Sequence, residues 1–154
     1  PFDGVMMSNP GIILELNLTS TSPRTNFLDV TVIFRPHNPP HFVMYFQYVL
    51  YDKRRDHPSL NTHDPFPHID SVLSDQSKYG VMHSQLHRFC TNTSMRSDFI
   101  SNTVALGGRM LTAGYHIDGL CQSIHKFKRW DLDMGDWEST KSDIIHRLRS
   151  LAAR

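Results

Sequence analysis

The sequence has no long apolar run, almost no net charge and little cysteine, and each of these absences excludes a class of protein. No stretch approaches the ~20 apolar residues that a membrane-spanning helix requires. The 16 basic and 15 acidic residues leave a net charge of +1, so no global field drives the chain onto a polyanion. Any contact with nucleic acid must therefore come from local groups of cations.

Cysteine is too scarce for a disulfide scaffold. The two cysteines, Cys90 and Cys121, both lie in helix-like patterns rather than in a loop framework. We expect two buried thiols, which favours a reducing, intracellular compartment over secretion. The chain also begins at Pro1 without an initiator methionine, so we expect that an upstream segment was removed or that the chain is a piece of a larger protein.

Signatures of catalysis, cofactor binding and metal binding are also missing. Gly107 and Gly108 have neither the preceding strand nor the spacing of a phosphate-binding loop. His83 and His87 stand four residues apart on a predicted helix, which could place two imidazoles on one side of a zinc ion. No nearby cysteine or histidine pair completes such a site. We therefore expect helix-surface histidines, with no metal and no cofactor.

The N-terminal part of the chain alternates between apolar and polar residues, as half-buried strands do. The alternation predicts strands over residues 12–18, 27–34 and 42–51, separated by a Ser/Thr-rich turn and a proline-rich turn. Such neighbouring strands favour a three-stranded antiparallel β-meander, which we assign to a first subdomain, residues 1–56.

The apolar spacing becomes helical after a proline-rich crossing loop over residues 57–78, under which Phe66 and Ile69 are expected to pack. A second subdomain, residues 79–154, is predicted to form about four helices. The first begins near Tyr79 after an N-cap at Ser77, and the others cover residues 94–113, 117–129 and 137–154. Their expected apolar stripes are Met82, Leu86, Phe89 and Cys90; Phe99, Thr103, Leu106 and Met110; Leu120, Ile124 and Phe127; and Ile144, Ile145, Leu148 and Leu151.

Gly114 is the predicted stop of the second helix, and Gly107-Gly108 suggests a close approach of another backbone. The predicted fold class is thus α+β, one domain built from a β-meander and a bundle of about four helices.

Six short blocks follow one another in a set order along this fold. They are Asn26-Phe27-Leu28-Asp29-Val30, Leu50-Tyr51-Asp52-Lys53-Arg54, Phe66-Pro67-His68-Ile69-Asp70, Tyr79-Gly80-Val81-Met82-His83-Ser84-Gln85-Leu86 with Arg88-Phe89, Gly114-Tyr115, and Lys126-Phe127-Lys128-Arg129. In this order and spacing they resemble the C-terminal part of reverse transcriptases encoded by Penelope-like and related retroelements. The resemblance covers residues 12 to 130.

The resemblance implies the last palm strands, the region that grips the primer and a helical thumb. In that family the paired metal-binding aspartates lie upstream of the matching segment, and this sequence contains no Asp-Asp pair. Polymerisation needs those carboxylates to hold two metal ions. The chain alone is therefore expected to hold RNA or an RNA–DNA duplex without catalysing synthesis.

Two basic groups are the candidate nucleic-acid contacts. Lys53, Arg54 and Arg55 follow the third predicted strand, and Lys126, Lys128 and Arg129 end the third predicted helix. Acidic residues flank the first group, so a structural ion-pair cluster stays open as its alternative role. The second group complements the helix dipole whether or not RNA is bound.

Two other functions stay open. The chain could be a domesticated relic that serves as a structural subunit of a ribonucleoprotein or an organellar complex. Protein neighbours would then cover apolar surface such as the terminal helix or the region of Trp130 and Trp137. Alternatively, it could be part of an active polymerase whose catalytic aspartates lie outside this chain.

Overall fold

The computed structural model is α+β, with short antiparallel strands before four helices in the part of the chain that it describes. The described residues are 7–9, 12–14, 24–27, 30–35, 45–51, 59, 64, 66–128 and 135–153. The strands are β1 (Met7–Asn9), β2 (Ile12–Leu14), β3 (Arg24–Phe27), β4 (Val30–Arg35) and β5 (Tyr45–Leu50). The helices are α1 (Asp75–Thr91), α2 (Arg96–Thr112), α3 (Ile117–Lys126) and α4 (Trp137–Ala152).

The strands form two separate antiparallel sheets. Strands β1 and β2 pair with each other, while the other sheet has the order β3-β4-β5, with Val30 opposite both Phe27 and Leu50. The predicted meander of residues 12–18, 27–34 and 42–51 is therefore not confirmed, because β2 pairs with β1. A short connection separates these two strands, so their pairing costs less loop-closure entropy than pairing with a more distant strand.

Strand β5 connects the larger sheet to the helices. The backbone N–H of Ser94, in the turn between α1 and α2, donates to the Tyr48 carbonyl oxygen at 2.9 Å. The Ser94 hydroxyl in turn accepts from the Tyr48 backbone N–H at 3.0 Å. The neighbouring side chain of Gln47 donates to Asp98 at 2.9 Å, and Leu50 is buried with the helical core. The sheet is thus held against the α1–α2 corner by polar and apolar contacts.

The helical stripes predicted from the sequence form the core. The fully buried side chains include Met82, Leu86, Phe99, Leu106, Met110, Leu120, Ile124, Phe127, Ile144 and Leu148. Three details of the predicted helices are wrong. The third helix, expected over residues 117–129, ends at Lys126 because Phe127 adopts an extended conformation. Leu151 is 39% exposed, because it lies at the end of α4 where the chain offers less cover. Helix α1 begins earlier than expected, since Ser74 and not Ser77 is its N-cap and accepts from the Ser77 backbone N–H.

Two glycines mark the end and the packing of α2. Gly114 follows the helix with a φ of +90°, a conformation that favours glycine, so the predicted stop is confirmed. Gly107 does permit a close approach, but by a side chain and not by a backbone. A Cβ at this position would lie 2.5 Å from Leu148 Cδ2 on α4.

The loop before α1 packs on the helices as predicted. Phe66 and Ile69 are half-buried against the core. The Tyr115 hydroxyl donates to the Pro67 carbonyl oxygen at 2.6 Å, and the Phe66 and Tyr115 rings meet edge to face. These contacts anchor the described part of the loop where α2 ends and α3 begins.

Candidate nucleic-acid interface

The end of α3 determines where Lys126 and Lys128 lie. The helix ends because Phe127 adopts an extended conformation, φ −71° and ψ 121°, while its N–H still donates to the Ile124 carbonyl oxygen at 3.2 Å. Lys126 is therefore the last helical residue and Lys128 follows the cap. Cations at this end of a helix are stabilised by the partial negative charge of the unpaired carbonyl groups.

Phe127 fixes this end of α3 to the other helices. Its side chain is only 1% exposed. Its ring centroid lies 4.8 Å from that of His87 on α1 and 5.2 Å from that of Trp137 on α4, both edge to face, and 6.3 Å from that of Phe99 on α2. Because Phe127 lies between the two lysines in sequence, its burial holds the backbone of both in place.

Lys126 and Lys128 are exposed and differ from the other described lysines in their electrostatic surroundings. Lys78 Nζ lies 3.7 Å from an Asp75 carboxylate oxygen, and Lys141 Nζ lies 2.5 Å from one of Glu138. No carboxylate among the described residues forms an ion pair with Lys126 or Lys128. Within the described structure these two ammonium groups are therefore available to an anion from outside the chain.

The other predicted basic residues lie outside the described residues. This applies to Lys53, Arg54 and Arg55 after the third predicted strand, and to Arg129 after Lys128. Their role as nucleic-acid contacts therefore stays a prediction. Tyr48 lies on β5, the strand that precedes the first basic group in the sequence. Its ring is 39% exposed, and an exposed aromatic ring can stack on a base.

The cations of α4 are largely neutralised within the helix. Arg147 donates twice to Asp143, at 2.7 and 3.1 Å, and this hydrogen bonding lowers the pKa of the Asp143 carboxyl. Lys141 is paired with Glu138 one turn earlier. This surface is a solvated, internally paired face and contributes little to the attraction of phosphate.

Two histidines of α1 lie side by side. The Nε2 atoms of His83 and His87 are 3.3 Å apart, and the two rings meet edge to face with centroids at 4.9 Å. Sequence spacing predicted the shared helix face but not this contact between ring nitrogens. The described residues contain no cluster of three or more histidine, cysteine or acidic side chains that could hold a metal ion.

The two cysteines have the character of core residues. Cys90 and Cys121 are both buried and neither forms a disulfide. Burial raises the pKa of the Cys121 thiol, and a nearby Arg149 guanidinium only partly opposes this effect. A thiol that stays protonated is a poor nucleophile, so Cys121 has the properties of a buried core residue.

Among the described residues, exposed apolar side chains lie partly on the predicted terminal helix, where Leu151 is 39% exposed, and partly in a place that was not predicted. Trp137 is half-buried against Phe127 inside the chain, and Trp130 lies outside the described residues. Val72 and Leu73, just before α1, are instead 104% and 49% exposed. The sequence did indicate them. Val72 and Leu73 are adjacent apolar residues that belong to no helical or strand periodicity, and they precede the polar first turn of α1.

Comparison with known proteins gave no relative, since no family model matches the chain and neither the curated proteins nor the solved structures contain a match. Among the helices in the described part of the chain, none combines the length and the apolar character needed to cross a membrane.

Proposed function

We propose that this chain is a catalytically incomplete fragment of reverse-transcriptase ancestry, comprising a palm end and a helical thumb, that binds RNA or an RNA–DNA duplex. The ancestry is proposed from the six ordered sequence blocks. Binding would use the nucleic-acid backbone and the shape of the duplex, and it would carry no base specificity.

One observation carries the proposal. Lys126 and Lys128 are exposed on both sides of the buried Phe127, and no carboxylate in the described residues neutralises them. Phosphate groups bind best to cations whose positions are already fixed, because less side-chain and backbone entropy is then lost. The aromatic contacts of Phe127 supply this fixed backbone.

The absence of an Asp-Asp pair from the sequence supports holding without synthesis. Two-metal phosphoryl transfer needs adjacent carboxylates to position both ions. Should aspartates from another part of a larger protein or another chain complete the site, the same surface would hold the primer and template of an active polymerase. Nucleotide incorporation by the isolated chain would contradict the proposal.

The test is a titration of the purified chain with a labelled RNA–DNA duplex at several salt concentrations. We expect the affinity to fall as salt rises, because each phosphate contact releases a counterion. The double variant Lys126→Ala, Lys128→Ala should bind more weakly, and its slope of log K against log salt should be shallower by about 1.4 to 1.8.

A control with the same change in charge is available on α4. Lys141→Ala, Arg147→Ala removes two cations that are already paired with Glu138 and Asp143, so binding should change little. A further variant, Lys53→Ala, Arg54→Ala, tests the first basic group. Equal losses of affinity in the α3 and α4 variants would show that binding depends on net charge, which would contradict a local interface. The absence of binding at low salt would contradict the proposal as well.

A second candidate function is that of a structural subunit in a large assembly, and the exposure of Val72 and Leu73 favours it. Adjacent apolar side chains that are exposed in a monomer are often covered by a partner. If this function is correct, the native protein should sediment with large particles. Val72→Asp should then move it to the free fraction, whereas Lys126→Ala should not.

A further inference from the structure

A pair of histidines on α1 indicates a site that the proposed nucleic-acid surface does not use. We propose that His83 and His87 together bind one transition-metal ion of the zinc class through their Nε2 atoms. The two residues stand four apart on one helix, so their side chains emerge on the same face, one turn apart.

The distance between the two nitrogens fits a metal ion. Zinc–nitrogen bonds are about 2.0–2.1 Å long, and a tetrahedral angle then separates the two ligand nitrogens by about 3.3–3.4 Å. The Nε2 atoms of His83 and His87 are 3.3 Å apart. A zinc ion can therefore replace the hydrogen bond between the rings once each ring has turned so that its Nε2 lone pair points toward the ion.

The surrounding side chains already orient both rings. The Phe127 ring lies 4.8 Å from the His87 ring and 6.0 Å from the His83 ring, edge to face in both cases. Nδ1 of His83 is buried without a hydrogen-bond partner, so Nε2 is the ring nitrogen through which His83 makes its polar contact. This arrangement reduces the entropy that the rings lose when a metal binds.

The same Nδ1 atom limits the strength of the site. Metal-ligating histidines normally donate their second N–H to an acceptor, which raises the basicity of the ligand. Zinc needs the lone pair of both Nε2 atoms, so the proton now shared between the rings is released or moves to Nδ1. For His83 that proton has no acceptor, and we expect weaker binding than at a structural four-ligand site.

Two histidines occupy two of the four tetrahedral positions. No third histidine, cysteine or acidic ligand joins them among the described residues, so water or a small anion would complete the coordination. Imidazole ligands favour zinc, copper and nickel over magnesium and calcium. The site should therefore distinguish zinc from magnesium although it has few protein ligands.

The experiment is calorimetric titration of the tag-free chain with zinc chloride, compared with His83→Gln, His87→Gln and His125→Gln. His125 is exposed on α3 and serves as the control for the other histidines of the chain. We expect zinc binding to weaken by about tenfold or more in each α1 variant, since even the loss of an outer-shell partner costs about 10–100-fold. Binding in the His125 variant should be unchanged, and magnesium should not compete.

A measurement on the parent chain removes any dependence on how the variants fold. In nitrogen-edited spectra of the imidazoles, zinc should shift the Nε2 signals of His83 and His87 together. Zinc binding that is equal in all variants would overturn the proposal, and so would shifts confined to other histidines or the absence of any zinc binding. None of these readouts depends on whether the chain binds RNA.

Discussion

At the scale of single residues, two helical glycines differ in the space that their surroundings leave for a side chain. A Cβ at Gly80 on α1 would meet no atom within 4 Å, whereas one at Gly119 on α3 would lie 2.4 Å from two carbon atoms of the Tyr79 ring. Tyr79 has little freedom to move. Its hydroxyl accepts from the His116 backbone N–H at 3.1 Å, and its ring packs edge to face on Tyr115.

We predict opposite effects for the two Gly→Ala variants. Gly119→Ala should lower the free energy of unfolding by about 1–3 kcal/mol, because the new methyl group overpacks the Tyr79 site. Gly80→Ala should raise it by up to about 1 kcal/mol, since alanine restricts the unfolded chain and favours the helix. Denaturant unfolding of both variants measures this difference, and a stabilised Gly119→Ala would contradict the tight contact with Tyr79.

Tyr115 should contribute a pH-dependent term to stability. Its hydroxyl donates to the Pro67 carbonyl oxygen, and burial, together with the nearby Tyr79, raises its pKa. In the unfolded chain a tyrosine loses its proton near pH ~10. Above that pH the unfolded chain binds fewer protons than the folded one, so this residue makes the fold less stable as the pH rises.

The variant Tyr115→Phe tests both effects. At neutral pH we expect a loss of about 0.5–1.5 kcal/mol, the usual value of one hydrogen bond. Above pH ~10 the stability of the variant should fall less steeply than that of the parent. Parallel slopes for the parent and Tyr115→Phe would contradict the pKa shift.

At the scale of the elements, the contact between α2 and α4 includes a complementary pair of residues. Leu148 of α4 is fully buried, and its side chain fills the space left by the missing Cβ of Gly107 on α2. The buried Leu106 and Met110 lie on the same helix, so α2 presents large side chains with one gap. A helix with a side chain at that gap could not approach as closely.

A double-mutant cycle measures this fit. Leu148→Ala should cost about 2–5 kcal/mol because it leaves a cavity in the core. Gly107→Ala alone should cost about 1–3 kcal/mol through overpacking. In the Leu148→Ala background the same change should cost little or become stabilising, a coupling of about 0.5–3 kcal/mol. Additive effects of the two substitutions would show that Leu148 moves aside freely.

The helices were predictable from sequence to the extent that apolar periodicity marks them. Met82 and Leu86 follow the 3.6-residue period, and burial confirms them. The first turn of α1 carries no apolar signal before Tyr79, so the sequence predicts Ser77 as the cap although Ser74, one turn earlier, occupies that position. Lys78 in this turn is buried, although a sequence-based prediction would expect a lysine to be exposed.

The candidate sites were predictable only in part, for a related reason. Exposure of Lys126 and Lys128 follows from cations at the end of an amphipathic helix. The aromatic contacts that hold Phe127 come from three other helices and leave no local pattern in the sequence. Strand pairing was harder still, because alternation defines the faces of a strand but does not identify its neighbour.

At the scale of the whole molecule, the coupling between the sheet and the helices runs through Ser94. Its hydroxyl accepts from the Tyr48 N–H and lies 3.2 Å from the Tyr48 carbonyl oxygen, to which its own N–H also donates. Leu50 adds an apolar contact with the helical core two residues further along β5. The stability of the sheet and the stability of the helices should therefore be coupled through these contacts.

We predict that Ser94→Ala increases amide hydrogen exchange at Tyr48, because the N–H loses its acceptor while the Ser94 N–H bond to the carbonyl oxygen remains. The free energy of unfolding should fall by about 0.5–1.5 kcal/mol. Thr91→Ala is a suitable control, since its hydroxyl donates to the His87 carbonyl oxygen within α1. Unchanged exchange at Tyr48 in the Ser94 variant would contradict the coupling.

The position of Ser94 also affects how copies of this chain avoid aggregation. An open strand edge with unpaired N–H and C=O groups can recruit the same strand of another molecule and so start a fibril. On β5 both backbone groups of Tyr48 are already occupied by the turn between two helices. An added strand would have to remove Ser94 before it could pair at Tyr48, so the helical half of the molecule protects its sheet from self-association there.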